Sequence, residues 1–456
     1  MSARLVPLIV LLAVPTFAQF RAGAAARNIT PDLGSAKAYI AGFGQNRAAT
    51  GVHDDLHARC LALAAAQAPP VVLCGVDSIG LFYDDVAAIR QAVEQGHKSA
   101  VHVIVAVTHS HETPDTMGLW GPQIGISGLN DDYNRLVVQR TAAAALAALA
   151  GMQPATLRLA RASSPRLREF YADSRPPVVL DDEIITLAAD HAQTRKPIAI
   201  LANWASHPEA LGSQNTLLTA DWCHYFYSEI EAQTGATPIF VNGAIGGMMS
   251  PLGAAITDPA TGQPAPKDTF RFAEIVGREA AQHALRALAA AEAVSPDALL
   301  YRERMAAIPV TNRNFLMAAA ANLFKGRKPM TAEQGTTAPV GYLRLSLAGE
   351  PLLEAASIPG ELYPELSVGP IVRDPAADFP GAPSEPIIKR DLLKAPFRMV
   401  FGLANDEVGY IIPKAQWDEK PPYTFGAAKP WYGEINAPGP DTAPAILRTL
   451  SELVGP

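Results

Sequence analysis

The sequence predicts an α/β fold, a mixed sheet with flanking helices whose active groups gather at the C-terminal ends of the strands. Two observations carry this. Apolar strand-like runs alternate with amphipathic helical segments, and five of those runs stop abruptly at a polar, reactive group. In open α/β sheets ligands collect in the crevice beyond the carboxyl ends of the strands, so five such ends can build one pocket.

Residues 5–17 (LVPLIVLLAVPTF) are apolar, preceded by Arg4 and followed by small residues. The stretch is too short and too Pro-broken to span a bilayer comfortably. It reads as a secretory signal peptide, residues 1–19, with a buried strand or an uncleaved anchor as the alternative. Residues 20–456 are then expected to form one catalytic domain, exported to the periplasm or beyond. Residues 41–46 are Gly-rich and loop-like. Runs 56–63 and 71–76 read as neighbouring strands carrying Cys60 and Cys74, which either pair in an oxidising compartment or stay as buried thiols. With Cys223 the only other cysteine, neither a Cys-rich zinc site nor a disulfide scaffold can form.

Helical spacing follows at 84–95, 132–149, 223–233 and 269–291. Between the first two, the apolar run 101–107 ends in Thr-His-Ser-His. Residues two apart in an extended segment share a side, so His109 and His111 can face one ion or substrate; a pair of surface histidines is the alternative. The other four ends are 197–204 into His207, 237–241 into a Gly-rich turn that reaches Ser250, 352–358 into Pro-Gly-Glu361, and 397–403 into a segment ending at Tyr410. Asp221 and His224 suit the cap and first turn of the 223–233 helix better than a role behind the ligands. Segment 314–325 is an apolar helix-like stretch with a basic patch after it; it either faces the core, lies at a lipid surface or gates an apolar pocket. The Pro-rich segments 374–386 and 421–440 read as long loops.

Two imidazoles and a carboxylate with an open position describe a hydrolytic zinc site, although nitrogen and oxygen donors also accept manganese or iron. Tyr410 suits a phenolate ligand or an oxyanion donor. Ser250, after glycines that let backbone amides approach a substrate, suits a nucleophile or an oxyanion partner. The net charge of −7 over 456 residues, with no basic run beyond the short patch at 325–328, leaves no footprint for nucleic acid.

These blocks resemble the neutral (non-lysosomal) ceramidases. The Thr-His-Ser-His at 108–111 looks like that family's Thr-His-Thr-His block, and Asn203-Trp204 with His207 looks like its second histidine block. The segment from Asn242 to Ser250-Pro251, the Pro-Gly-Glu at 359–361, and the Gly-Leu-Ala-Asn-Asp at 402–406 with Tyr410 follow in family order. The resemblance implies a zinc amidase that hydrolyses N-acylsphingosine to a fatty acid and a sphingoid base. One Zn2+ would be held by His109, His207, Glu361 and Tyr410, with His111 and Ser250 at the reacting centre and Tyr432 as a further active-site residue. It also implies a lipid substrate presented at a membrane surface and no obligate protein partner. Two departures stand out: Glu112 to Thr116 replace the family's Ser-Gly-Pro-Gly-Gly, and the serine loop is longer. Both would fall at the substrate mouth and alter acyl-chain and headgroup preference. The blocks run close to the end of the sequence, so the family's immunoglobulin-like C-terminal domain is not expected. A zinc hydrolase for another amide or ester, or a non-catalytic lipid-binding protein of this fold, are the other readings.

Overall fold

The computed structural model describes residues 20–35, 37–65, 68–172, 175–324 and 330–455. The expected signal peptide and the basic patch at 325–328 lie outside the described residues.

The fold is mixed α/β, as expected, and its layers are helices, a large sheet, a small sheet and one more helix. In chain order the large sheet contains β1 (Arg21–Asn28), β2 (His57–Ala64), β3 (Val71–Val76), β4 (His102–Val107), β5 (Gln153–Ala162), β6 (Ile184–His191), β7 (Pro197–Trp204) and β8 (Thr237–Asn242). Their spatial order is β8-β7-β6-β5-β1-β2-β3-β4, with the short strand Ala293–Val294 against β5. The pairs β3 with β4 and β7 with β8 are parallel, and the rest of that path is antiparallel. The small sheet runs β9 (Ala298–Ile308), β10 (Thr336–Leu347), β11 (Glu350–Ser357) and β12 (Phe397–Phe401), the last two parallel.

Strand periodicity explains why two cores form. On β2, Ala58, Cys60 and Ala62 pack towards helices Tyr83–His97 and Asp131–Ala150, while Leu61 and Leu63 point the other way. Helices Trp222–Thr234 and Phe270–Ala289 cover the same face further along. The opposite face packs against the small sheet through Leu73, Ile104, Leu201 and Ile239 on one side and Leu343, Leu353, Met399 and Phe401 on the other. A sandwich of two sheets thus sits where helices on both faces would be usual for strands this apolar. The terminal helix Thr442–Val454 closes the outer face of the small sheet with Ile446, Leu447 and Leu450.

Cys60 and Cys74 stand directly opposite on β2 and β3 and are joined as a disulfide. Asp221 is a helix cap, accepting from the backbone N–H of Trp222, and its carboxylate also accepts from Ala210 and Leu211. The segment expected as a core-facing helix or a pocket gate contains helix Arg313–Ala320, which buries none of its residues. It is therefore not a core helix.

Candidate metal centre and apolar cavity

The five strand ends meet where the two sheets join. The turn Gly402-Leu403-Ala404-Asn405 lies between the outer strands β4 and β8 of the large sheet: Gly402 N–H donates to Asn242 O (3.0 Å), Val107 N–H to Leu403 O (3.3 Å) and Asn405 N–H to Val105 O (2.7 Å). Three buried asparagines complete the junction. Asn203 donates to Val400 O at 2.8 Å, Asn242 donates to Thr108 O at 2.9 Å, and Asn405 accepts from Val105 N–H at 2.9 Å. Close backbone approach needs glycine here, because a Cβ on Gly402 would lie 2.2 Å from Gly243 O and one on Gly246 would lie 2.4 Å from Glu361 O.

This junction delivers the side chains. His109 follows β4 in the left-handed region (φ 64°), fixed by its N–H on Ser78 O (2.9 Å) and its Nδ1–H on Ile79 O (2.5 Å). His207 follows β7, and its Nδ1–H donates to Met249 O at 2.9 Å. A neutral imidazole that donates through Nδ1 presents its lone pair at Nε2. Both Nε2 atoms converge on one carboxylate: His207 Nε2, which donates to it while that ring is protonated and no ion is bound, lies 3.2 Å from Glu361 Oε2, and His109 Nε2 lies 3.6 Å from Glu361 Oε1. Glu361 pairs in register with Tyr410 across the short parallel ladder that links the two loops, and the Tyr410 hydroxyl hydrogen-bonds it. Tyr410 also lies 3.3 Å from Met248 Sδ.

The protonation pattern follows from burial of three rings beside two carboxylates, Glu361 and Glu209. Burial lowers all three imidazoles. His207 overcomes it through its hydrogen bond to Glu361 and the charge of Glu209, rising to about 8. Burial wins at His109, which falls to about 4 although Glu361 is near, and at His111, held well below its ordinary value by burial and then by its histidine neighbours. Glu361 resists the upward push of burial and lies below its ordinary value because of His109, His207 and Tyr410. Burial pushes the Tyr410 phenol well up, with the Glu361 charge adding to it.

The donors fit a metal ion. Ring nitrogens of His109, His111 and His207 lie within 4.8 Å of one another, the outward Nδ1 atoms of two of them are held by carbonyls in the usual manner of metal-bound histidines, and both nitrogens of buried His111 lack a hydrogen-bond partner. Nitrogen and oxygen donors without thiolate suit zinc and do not exclude other ions.

A cavity of about 420 Å3 opens onto this cluster. His109, His111, Glu361 and Tyr410 form its polar end, and Ile79, Phe82, Met117, Leu119, Phe315 and Phe324 form apolar walls. Tyr432 stands at the mouth, 54% exposed, with its ring 5.8 Å from that of Tyr410. Helix Arg313–Ala320 is a wall of this cavity through Phe315 and Ala318, which is why it has no place in the core. Residues 112–116, expected at the mouth, are buried beneath it instead. Asp115 accepts from the N–H groups of Met117, Gly118 and Trp120 and so shapes the wall without lining it.

Ser250 is brought near the cluster but does not line the cavity. Its Oγ accepts from Leu252 N–H at 2.9 Å, and the side chain hydrogen-bonds Glu209. Glu209 is the residue that sequence reasoning passed over: it is buried, with Oε2 3.3 Å from His111 Nδ1. Its position two residues after His207, in the same strand-end block, was the available signal.

No protein-family profile matches the sequence, and none of the curated proteins matches it either. Solved structures do. A neutral ceramidase from Pseudomonas aeruginosa superposes with a TM-score of 0.70 at 17% identity, over 96% of this chain and 74% of that one. A ceramidase complexed with C2 gives a TM-score of 0.70 at 15% identity, over 96% and 75%. On this likeness, which spans 96% of the chain, the protein has the neutral ceramidase fold.

Proposed function

We propose that this chain is a zinc-dependent amidohydrolase that cleaves the amide of ceramide or a related N-acyl lipid, releasing a fatty acid and an amine. The observation that carries the reading is a buried His109–His207–Glu361 cluster closing the end of an apolar cavity. His109, His207, Glu361 and Tyr410 would hold the ion. A zinc ion in such a donor set polarises an amide carbonyl and makes water acidic enough to react near neutral pH. The chain's own residues do the rest. Ile79, Phe82, Phe315 and Phe324 take an alkyl chain out of water, about 25 cal/mol for each Å2 of apolar surface removed. That anchors the scissile amide at the polar end, where His111 can move a proton to the departing amine, while Tyr432 offers a phenolic hydrogen from the mouth.

Residues 20–456 are taken as the catalytic unit and residues 1–19 as an export signal. The Cys60–Cys74 disulfide supports an oxidising compartment, and among the described residues no helix is long and apolar enough to cross a membrane. The lipid is presented at a membrane surface, since Ile124 (87% exposed), Met317 (63%) and Ile435 (47%) lie in the loop and helices around the mouth.

Metal analysis of the purified protein, with hydrolysis of a panel of ceramides and N-acyl amino acids with and without chelator, tests the reading. Stoichiometric zinc and chelator-sensitive release of fatty acid are expected, and Ser250→Ala should lower turnover sharply with zinc still bound. Absence of zinc together with tight lipid binding would favour the non-catalytic alternative.

A further inference from the structure

His111 differs from its two partners in what holds it. The rings of His109 and His207 are oriented by backbone carbonyls at Nδ1, whereas both nitrogens of His111 are buried with no hydrogen-bond partner. Its main chain is nevertheless pinned, N–H on Pro208 O at 3.0 Å and O accepting from Arg47 Nη1 at 3.1 Å. Its ring is confined by the edge of Phe43, 5.0 Å between centroids, and by Gly42, where a Cβ would come within 2.5 Å. Among the described residues the one carboxylate within ion-pair distance of this ring is Glu209, with Oε2 3.3 Å from Nδ1. Glu209 is 1% exposed, and its Oε1 has no partner. Ser250 hydrogen-bonds the same carboxylate. A fully buried carboxylate with an unused oxygen costs stability unless something occupies it, so its presence beside a histidine needs a reason.

We propose that Glu209 is the positioning residue of this site: it accepts the Nδ1 proton of His111, fixing the tautomer whose Nε2 lone pair is free at the cavity end, while Ser250 donates to the same carboxylate and holds it in place. The proposal rests on the reading of the cluster as a hydrolytic centre and adds the residue that prepares His111. A carboxylate that orients a histidine and selects its tautomer is a general device of proton transfer on unrelated folds. Ser250 then acts through Glu209, with its hydroxyl hydrogen already engaged.

The test combines 15N spectra of histidine-labelled, zinc-loaded protein with kinetics. In wild type, the His111 signals, assigned by their loss in His111→Ala, are expected to show the proton on Nδ1. Glu209→Leu should abolish that preference and lower kcat by about 10- to 100-fold, the usual cost of losing an outer partner, with KM within about twofold and zinc content unchanged. Glu209→Gln, which keeps an acceptor oxygen, should recover part of the loss. In a His111→Ala background the Leu substitution should cost nothing further. A proton on Nε2 in wild type, or an undiminished loss in that background, overturns the proposal. Should the Leu variant fail to fold, the wild-type spectrum decides alone. Should no amide be cleaved by wild type, the functional reading fails while the spectrum still judges Glu209.

Discussion

The two ends of the cavity are built by opposite means. At the inner end the histidines and Glu361 are 1–8% exposed, and the strand ends behind them are joined by three asparagines. At the mouth, a loop and two short helices present Ile124, Met317, Tyr432 and Ile435 to solvent. Chemistry is placed on rigid sheet ends and selection on elements free to vary, a division common in enzymes. The difference teaches where substitutions should be absolute and where they should be graded.

The largest contrast is expected from His207→Ala, which removes an imidazole serving Glu361 and the cluster together. Zinc should be lost and turnover should fall by more than about 100-fold, beyond the usual effect of an outer partner; metal content and initial rates measured together check this. Stoichiometric zinc in the variant would dissolve the distinction between the two ends.

At the inner end acid acts through the histidines. His109 and His111 titrate below their ordinary values in the native protein, so the unfolded chain binds more protons once pH drops below about 6.5. Their contribution is complete above that pH and is lost as pH falls below it, that of His109 by about 4. His207, raised to about 8, works the other way: its contribution builds as pH falls from about 8 towards 6.5 and changes little below that. Elsewhere burial raises Asp77 and Asp85 to about 6 and Asp221 to about 7, and these carboxyls gain stability over the same window. The histidines' share is therefore read as a difference: the urea stability of chelator-treated protein relative to a His109→Asn, His111→Asn variant should fall by about 2 kcal/mol between pH 6.5 and 5.5, for two histidines at up to ~1.4 kcal/mol per pH unit each. A flat difference would mean the rings are not buried neutral.

Graded effects are expected along the walls. Phe315→Ala removes apolar surface beside Phe324, whose ring lies 5.5 Å away, and should raise KM for a long-chain amide by about tenfold to thirtyfold, 1.5–2 kcal/mol of lost burial, at nearly constant kcat. The smallest effect belongs to the rim. Ile124→Ser with Met317→Ser should lower partition onto phosphatidylcholine vesicles by about threefold to tenfold, leaving hydrolysis of a short soluble amide unchanged. Equal vesicle binding would restrict the exposed residues to contacts with the substrate itself.

The inner end was legible in the sequence and the mouth was not. Runs such as 71–76 and 197–204 are strands with those bounds, because continuous burial on both faces leaves an unbroken apolar stretch. The histidines, Glu361 and Tyr410 could be found because each lies in the short block that comes after a strand. Arg21–Asn28 could not, since an alanine-rich segment has little strand preference of its own and is held by pairing with β2. Helix Arg313–Ala320 showed an apolar pattern, but periodicity cannot say whether the apolar partner is a core or an empty space. Glu209 escaped because a buried acid has no signature until its neighbours are known.

Of the four residues expected to share the ion, His109 and His207 hang from the larger sheet, while Glu361 and Tyr410 hang from loops that leave the smaller one. An ion seated there would be a clasp across the seam. Its release would let the halves breathe apart, and its capture would raise the melting temperature as well as switch on the chemistry.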